Sequence, residues 1–224
     1  MKKFFELINK NLGSLHLGSF FSNKRKKTLP LITISREKGS GGRPIAYLVA
    51  KKLGGKWEVF HKNIVEEIAR EANLEKELIE DVDEKNIPLI NQLLHNVMGK
   101  KYMSLSSYYK HLLRILSTIG NRGYAIIIGR GANFLFPEAL KIRVICEMEE
   151  RIRKIMKYEK VTRREAMERI ADSDKKRASF THSLFQHDIR KAHHYDLIIR
   201  IGQHLTLEEA ANHIVDAAKH KFSL

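Results

Sequence analysis

The sequence contains one cysteine, Cys146, four prolines and one tryptophan in 224 residues. A single cysteine excludes a disulfide framework within the chain, and its place in an apolar run is typical of a protein kept in a reducing compartment. No apolar run is long enough to span a membrane. Glu6 and Lys10 interrupt the apolar core that a signal peptide requires. These absences predict a cytoplasmic protein without a transmembrane segment.

Acidic residues are also scarce, because 26 Asp and Glu stand against 41 Lys and Arg. The formal net charge of +15 at pH 7 indicates anionic partners, which could be nucleotides, nucleic acid or an acidic membrane surface. Apolar residues make up 43% of the chain and charged residues 30%, as in soluble globular proteins. The length suits one domain, or one domain with a small insert.

Residues 1–28 are predicted to be a basic N-terminal appendage. The first 27 residues contain seven basic side chains and a single acidic one, Glu6. Apolar residues recur there at helical spacing: Phe4, Ile8, Leu12 and Leu15. A short amphipathic helix that touches a membrane or a partner is one interpretation. We favour a helix packed on its own domain, or a loose tail.

Residues 29–224 alternate between apolar runs and helical patterns. The predicted strands cover residues 31–34, 57–60, 124–128, 142–146 and 196–201. The predicted helices cover residues 45–53, 63–73, 74–86, 105–119, 147–158, 162–173 and 206–218, the last with Thr206 and Glu209 as a capping box. This alternation predicts an α/β fold with a parallel sheet covered by helices.

The first strand leads into a glycine-rich turn, Gly39-Ser40-Gly41-Gly42, and then into a helix. Strand, glycine turn and helix together present free backbone N–H groups and a helix N-terminus, which attract phosphate. Compared with the P-loop pattern G-x-x-x-x-G-K-[ST], the turn has Arg36 at the first glycine, Gly42 at the lysine and Arg43 at the hydroxyl position. Shifting the hydroxyl position by one residue places Pro44 there, which suits the first helical residue.

A second glycine turn, Gly129-Arg130-Gly131, follows the strand at 124–128. Because the carboxyl ends of parallel strands meet at one edge of a sheet, we expect Arg130 beside the first glycine turn. A guanidinium fork matches phosphate or carboxylate. A structural salt bridge is the alternative, but we favour the phosphate interpretation.

The third candidate region, residues 151–177, contains eleven basic and five acidic residues. Such runs are usually solvated helix faces with ion pairs. The density of cations near Arg169 and Arg177 instead favours a lid over phosphates.

Together these stretches resemble the cytidylate kinase-like family, a branch of the nucleoside monophosphate kinases, over roughly residues 31–218. The similar segments are ITISREKGSGGRPIA, IIIGRGANFLFPEALKIRVI, RIADSDKKRASF and YDLIIRIGQHLTLEEAANHIV. The resemblance implies a P-loop fold with a five-stranded parallel sheet ordered 2-3-1-4-5, a helical insert at 61–122 that binds the monophosphate, and a short lid within 159–190. It also implies transfer of the γ-phosphoryl group of ATP to CMP or dCMP with Mg²⁺.

The resemblance implies the site residues as well. The ATP phosphates are expected at Arg36, Lys38, Gly39, Ser40, Gly41, Gly42 and Arg43. The nucleoside monophosphate is expected at His61, Gly129, Arg130 and Gly131. The lid is expected to use Arg169, Asp174 and Lys176, and catalytic roles are expected for Arg43, Arg130, Lys175 and Arg177. No protein ligand to a metal is implied.

The chain departs from ordinary cytidylate kinases at four positions. Gly42 replaces the lysine, Pro44 the hydroxyl residue and Gly131 the aspartate of their GRD motif, while His61 stands where an aspartate commonly follows the second strand. Loss of one such contact typically lowers the rate by on the order of 10²–10³. We hypothesise that Arg43 performs part of the work of the missing lysine.

Two alternatives to a kinase remain open. The first is a nucleotide-binding protein on the same fold that no longer turns over and instead senses or regulates. The second is a module driven by net charge that binds nucleic acid or a membrane surface, although no aromatic platform or recognition-helix motif supports it. His187, His193 and His194 have no Cys or carboxylate at ligand spacing, so we predict no metal site there.

Overall fold

The structure, a computed structural model, describes residues 29–63 and 107–224. The chain forms two compact units, of which one comprises Pro30–Lys62 and Gly123–Leu224, and the other includes residues 107–122. The predicted appendage at 1–28 lies outside the described residues. So do the predicted helices at 63–73 and 74–86, apart from Asn63.

The larger unit contains a five-stranded parallel sheet. Its strands are β1 (Leu31–Arg36), β2 (Glu58–Phe60), β3 (Ala125–Ile128), β4 (Leu140–Cys146) and β5 (Leu197–Ile201). They lie in the order β2-β3-β1-β4-β5, and each neighbouring pair is parallel. This confirms the predicted strand order of a P-loop fold.

Among the described residues, six α-helices follow in chain order. They are α1 (Gly42–Leu53), α2 (Ser107–Arg122), α3 (Ala132–Leu135), α4 (Met148–Glu159), α5 (Arg163–Phe185) and α6 (Leu207–Phe222). Helix α2 belongs to the smaller unit. A short 3₁₀ turn, Ala192–His194, precedes β5. None of the helices in the described ranges is long and apolar enough to cross a membrane.

The main hydrophobic core combines the sheet with α1 and α6. The buried residues of β1 and β3 are all apolar except Thr33, as expected for a parallel sheet with both faces covered. Ile34 of β1 pairs with Ile128 of β3 and with Ile142 of β4. The loops that follow β1 and β3 therefore leave the sheet side by side, as predicted, and this edge carries the candidate site.

Two helices differ from their predicted bounds. Helix α5 continues twelve residues beyond the predicted end at residue 173. Its capping box, Thr162 with Glu165, starts the helix, and no Gly or Pro follows before Gly202 to stop it. Helix α1 begins at Gly42, so Pro44 is its third residue and not its first. The predicted capping box of α6, Thr206 with Glu209, is confirmed.

Candidate functional site

The glycine turn after β1 is a compact reversal that leads directly into α1. Gly41 is the N-cap of α1 with a left-handed backbone (φ 90°), and no acidic residue lies in the first turn of the helix. The buried hydroxyl of Ser40 donates a hydrogen bond to the carbonyl of Glu37 at 2.9 Å. The hydroxyl is therefore engaged within the loop, and what the turn offers a ligand is backbone N–H groups and the positive end of a helix.

The turn after β3 contains three successive residues with left-handed backbones. Gly129, Arg130 and Gly131 have φ values of 76°, 57° and 68°. Arg130 is not a glycine, so holding it in this conformation costs on the order of 1 kcal/mol, a strain typical of functional turns. A Cβ atom at Gly131 would also overlap the ring of Phe185. The left-handed backbone and the nearby ring of Phe185 therefore both favour glycine at residue 131, where ordinary cytidylate kinases have the aspartate of their GRD motif.

A cavity of about 520 Å³ lies at this edge of the sheet. Seven of its seventeen lining residues are basic and one is acidic, Asp172. The basic residues come from four parts of the chain and are Arg36, Lys38, Lys62, Arg130, Arg169, Lys176 and Arg177. A concave site with such an excess of positive charge is suited to a polyanion.

Arg36, the last residue of β1, is the most strongly perturbed cation of the cavity. Burial, followed by the charges of Arg177, Arg43 and Arg130, lowers its pKa to about 9. The guanidinium therefore remains protonated at neutral pH but is held among like charges in a poorly hydrated position. An anion placed between these arginines would relieve that repulsion.

Two further arginines are positioned by α5 and its neighbours. The Arg130 guanidinium lies over the ring of Phe180, 5.1 Å from its centroid, a cation–π geometry. Arg177 donates hydrogen bonds to Asp174 at 3.1 Å and to the carbonyl of Arg36 at 3.4 Å. Burial lowers the pKa of Arg177, while Asp174 opposes that shift. The structure therefore brings the predicted residues Arg36, Arg130 and Arg177 together around one cavity.

Arg151 of α4 ties the first glycine turn to α5. Its Nε donates to the carbonyl of Lys38 at 2.7 Å, and its Nη atoms pair with Glu37 and with Asp174. Asp174 in turn accepts a hydrogen bond from the backbone N–H of Lys38 at 2.9 Å. Asp174, which was predicted as a lid residue, thus holds both the loop at Lys38 and the side chain of Arg177.

Our sequence reasoning did not single out Arg151, although the sequence carried a signal. Arg151 stands beside Ile152 and one turn before Ile155, on the buried stripe of α4, whereas Arg153 is exposed. A charged residue on the apolar face of a helix requires buried partners, so it indicates a structural or functional contact.

Three other cations predicted at the site form ion pairs with carboxylates of the protein, and a fourth does not line the cavity. Lys38 and Arg169 line the cavity, yet both pair with Glu159, at 2.5 and 2.8 Å. Hydrogen bonds from these two residues, Lys38 first, lower the pKa of Glu159. Lys176 pairs with Asp172 at 2.7 Å. Lys175 is exposed and does not line the cavity.

Arg43 and His61 lie next to each other outside the cavity lining. The Nη2 of Arg43 is 3.3 Å from the Nδ1 of His61, and Arg43 is exposed. Burial, then Arg43 and Arg36, lowers the pKa of His61 below its ordinary value of 6.5. The neutral imidazole can therefore accept a hydrogen bond from Arg43.

Asn133 is a cavity residue that our sequence reasoning missed. It follows the second glycine turn on α3, is 6% exposed and lines the cavity. Within the described ranges its buried Nδ2 has no hydrogen-bond partner. Since buried polar groups are almost always paired, this unpaired donor makes Asn133 a candidate contact for a ligand, although the Nδ2 atom itself is covered by protein atoms.

The residues at the site do not fit a protein-held Mg²⁺. Neither Arg43 at the position of the P-loop hydroxyl nor Pro44 after it carries a hydroxyl group. The carboxylates nearest the loop, Glu37 and Asp174, are paired with arginines. No group of three or more His, Cys, Asp or Glu in the part of the chain that the structure describes is arranged to hold a metal.

A comparison with protein-family models identifies the family of this chain. The family model described as the cytidylate kinase-like family matches residues 31–203. The chain belongs to the cytidylate kinase-like family. Membership places it among kinase-like, nucleotide-binding proteins and confirms the resemblance seen in the sequence segments.

Solved structures similar to this family member support the fold. A crystal structure of an uncharacterized protein from Eubacterium ventriosum matches with a TM-score of 0.64 and 20% identity, over 87% of this chain and 99% of that one. TT1252 from Thermus thermophilus matches with a TM-score of 0.48 and 18% identity, over 85% and 98% of the two chains. Shikimate kinase from Bacteroides thetaiotaomicron matches with a TM-score of 0.45 and 12% identity, over 85% and 98%. The last two similarities are too distant to support an argument. A search of curated proteins found no match.

Proposed function

We propose that this protein is a cytidylate-type kinase that transfers the γ-phosphoryl group of ATP to CMP or dCMP. The observation that carries the proposal is the cavity with seven basic and one acidic lining residues beside the glycine turn. Phosphoryl transfer depends mainly on positioning and on neutralising the charge of the phosphates, so this arrangement is the one the reaction needs.

The phosphates of ATP would bind the backbone of Gly39, Ser40, Gly41 and Gly42 at the N-terminus of α1. Arg130 would bind the phosphate of the acceptor, and Arg177 would stabilise the group in transfer. An oxygen of the acceptor phosphate attacks the γ-phosphorus, the bond to the β–γ bridging oxygen breaks, and ADP leaves with the electron pair. Mg²⁺ would enter as part of the ATP complex, since the loop has no fitting ligands of its own.

The acceptor end of the cavity suits a pyrimidine base. Asn133 offers a buried amide donor, and cytosine presents a carbonyl oxygen and a ring nitrogen that accept hydrogen bonds. Phe180 and Ile189 supply apolar surface in the same cavity. Asn133 is therefore the residue that we expect to contact the base.

Phosphorus NMR of the purified protein with ATP and Mg²⁺ tests this function. Separate samples contain CMP, dCMP, UMP or AMP. The control variant is Arg200→Met, because Arg200 lies on β5, pairs with Glu147 and does not line the cavity. We expect ADP and a new nucleoside diphosphate only with the cytidine substrates, at equal rates in the wild type and the control. Transfer to AMP in preference to CMP, or no transfer from a folded protein, would contradict the proposal.

A nucleotide-binding protein without turnover is the second candidate. It is favoured by one feature of the loop: the lysine and hydroxyl positions are Gly42 and Pro44, and Lys38 is held by Glu159. Calorimetric titration with ATP distinguishes the two. Binding of ATP in the micromolar range without any transfer would favour a sensing or regulatory role over a kinase.

A further inference from the structure

Glycine and the cation have exchanged places in the phosphate loop of this chain. The P-loop pattern has glycine at its first position and lysine at its seventh. Here the first position is Arg36 and the seventh is Gly42. From the sequence alone, the chain has lost both the first glycine and the lysine of the P-loop, and the two changes have no visible connection.

The two exchanged positions touch each other in the structure. A Cβ atom placed on Gly42 would lie 2.7 Å from the Cβ of Arg36 and 3.0 Å from its Cγ. The Arg36 side chain thus fills the space where a side chain at position 42 would begin. Glycine at this position is what allows the arginine to cross the start of α1.

The far end of the Arg36 side chain reaches the turn after β3. A Cβ atom on Gly129 would overlap the Nη1 of Arg36, so the end of the arginine side chain lies against this glycine, whose left-handed backbone by itself favours glycine. Arg36 lines the cavity together with Arg130 and Arg177. The Arg36 side chain consequently extends from the first glycine turn, where its Cβ lies, to the second, where its Nη1 lies. It lies between the places proposed for the donor and the acceptor.

The guanidinium of Arg36 forms no ion pair in the described part of the chain. No carboxylate lies within ion-pair distance of its guanidinium there, whereas Arg177 and Arg151 both pair with Asp174. Burial and then the charges of Arg177, Arg43 and Arg130 lower the pKa of Arg36, and the charge of Asp174 opposes that shift only in part. A mostly buried arginine that lines a cavity and forms no ion pair is suited to bind an anion.

We infer that Arg36 replaces the P-loop lysine and binds the oligophosphate chain of the donor, with Gly42 as the glycine that makes room for it. The inference rests on the proposed function only in assigning that chain to a nucleotide. It also separates Arg36 from Arg43, the substitute that the sequence suggested, because Arg43 is exposed and lies beside His61.

Binding of inorganic tripolyphosphate to the full chain, measured by calorimetry, tests the inference independently of turnover. We expect Arg36→Met to weaken binding by roughly 10- to 100-fold. Arg36→Lys is expected to recover part of the loss, since it restores charge without the guanidinium fork. Arg200→Met, the matched control outside the cavity, is expected to bind like the wild type.

A reciprocal exchange distinguishes a phosphate contact from a merely structural role. Arg36→Gly removes both the charge and the side chain that blocks position 42, and Gly42→Lys alone introduces the clash with Arg36. The double variant restores the ordinary P-loop order of glycine and lysine. We expect it to bind tripolyphosphate at least about fivefold more tightly than Arg36→Gly alone.

The outcomes separate this inference from the proposed function. Unchanged binding in a folded Arg36→Met variant, no binding by the wild type, or no recovery in a folded double variant would each overturn the role of Arg36. If the binding results hold while no nucleoside monophosphate is phosphorylated, the inference stands and the kinase proposal fails.

Discussion

The cations of helix α5 and the cation at the end of β1 lie in opposite surroundings. On or beside the solvent surface, Arg163, Arg169 and Lys176 have side chains between 49% and 75% exposed, and each pairs with a carboxylate. Arg36 is mostly buried among other arginines, with no ion pair in the described ranges. The comparison teaches that a dense run of charge on a helix mainly compensates itself, while one uncompensated charge at a strand end creates affinity for an anion.

The largest expected effect concerns the cavity arginines. Arg130→Met should lower kcat/KM for phosphoryl transfer by roughly 10²–10³, because it removes the charge-assisted contact proposed to bind the phosphate of the acceptor. Arg163→Met, on the exposed face of α5, should change kcat/KM by less than about twofold. Steady-state kinetics of both variants measures the contrast. Equal losses would show that the helix cations act on the substrate as directly as the cavity does.

The next effect concerns the brace between the glycine turn and α5. Arg151→Met should lower the free energy of unfolding by about 3 kcal/mol, since it removes the buried cation that joins Glu37 and Asp174 and leaves them with their weaker partners. Arg153→Met should change it by less than about 0.5 kcal/mol, because its side chain is 71% exposed. Urea denaturation gives both values. A small loss for Arg151→Met would mean that the turn is held by other contacts.

A smaller effect is expected in the turn after β3. Gly131→Ala should destabilise the protein by about 2 kcal/mol, since it combines a left-handed backbone with an overlap against Phe185. The matched control is Gly55→Ala, because Gly55 has open space around it and no left-handed backbone. Its stability should stay within about 0.5 kcal/mol of the wild type. Similar thermal unfolding curves for the two variants would contradict the strained turn.

The smallest effect is a pH dependence of stability. Burial, then His193 and His187, lowers the pKa of His194 below 6.5. The unfolded chain therefore binds this proton more readily than the folded one, so the contribution of His194 is fully present above pH 6.5 and is lost as the pH falls below it. His61 shifts in the same direction.

Thermal unfolding at pH 7.5 and 5.5 measures this dependence. We expect the wild-type Tm to fall on acidification, and His194→Gln to reduce that fall by on the order of one or two degrees. Lys219→Gln, on the exposed face of α6, is the control and should leave the pH dependence unchanged. An equal or larger fall of Tm in His194→Gln would show that His194 does not take up the proton.

Much of the fold could be predicted because its signals are local. The strands β1 and β3 are rich in β-branched apolar residues, and a glycine turn follows each of them, so their places followed from the pattern. The length of α5 could not be predicted in this way. Beyond residue 173 it has no regular apolar stripe, yet Thr181 and Leu184 are buried and the ring of Phe185 packs against Phe134, which is distant in the sequence.

The candidate site was predicted as a set of residues but not as an arrangement. The sequence marked Arg36, Lys38 and Arg43 alike as phosphate ligands around the glycine turn. In the structure Lys38 pairs with Glu159, Arg43 lies beside His61, and Arg36 crosses Gly42 toward Gly129. The partners lie 18 residues from Arg43 and 121 from Lys38, so no local pattern around the turn distinguishes these cations.

The amino-acid sequence by itself therefore predicted the parallel sheet and the two glycine turns, because hydrophobic periodicity and backbone freedom act over a few residues, whereas the strand order was expected from the resemblance to the cytidylate kinase-like family. Only the tertiary structure decided which cations are neutralised and which are not. Charge compensation depends on distance in space, so the burial of Arg151 against Glu37 and Asp174 and the uncompensated charge of Arg36 emerge only once α4, α5 and the strand ends are packed together.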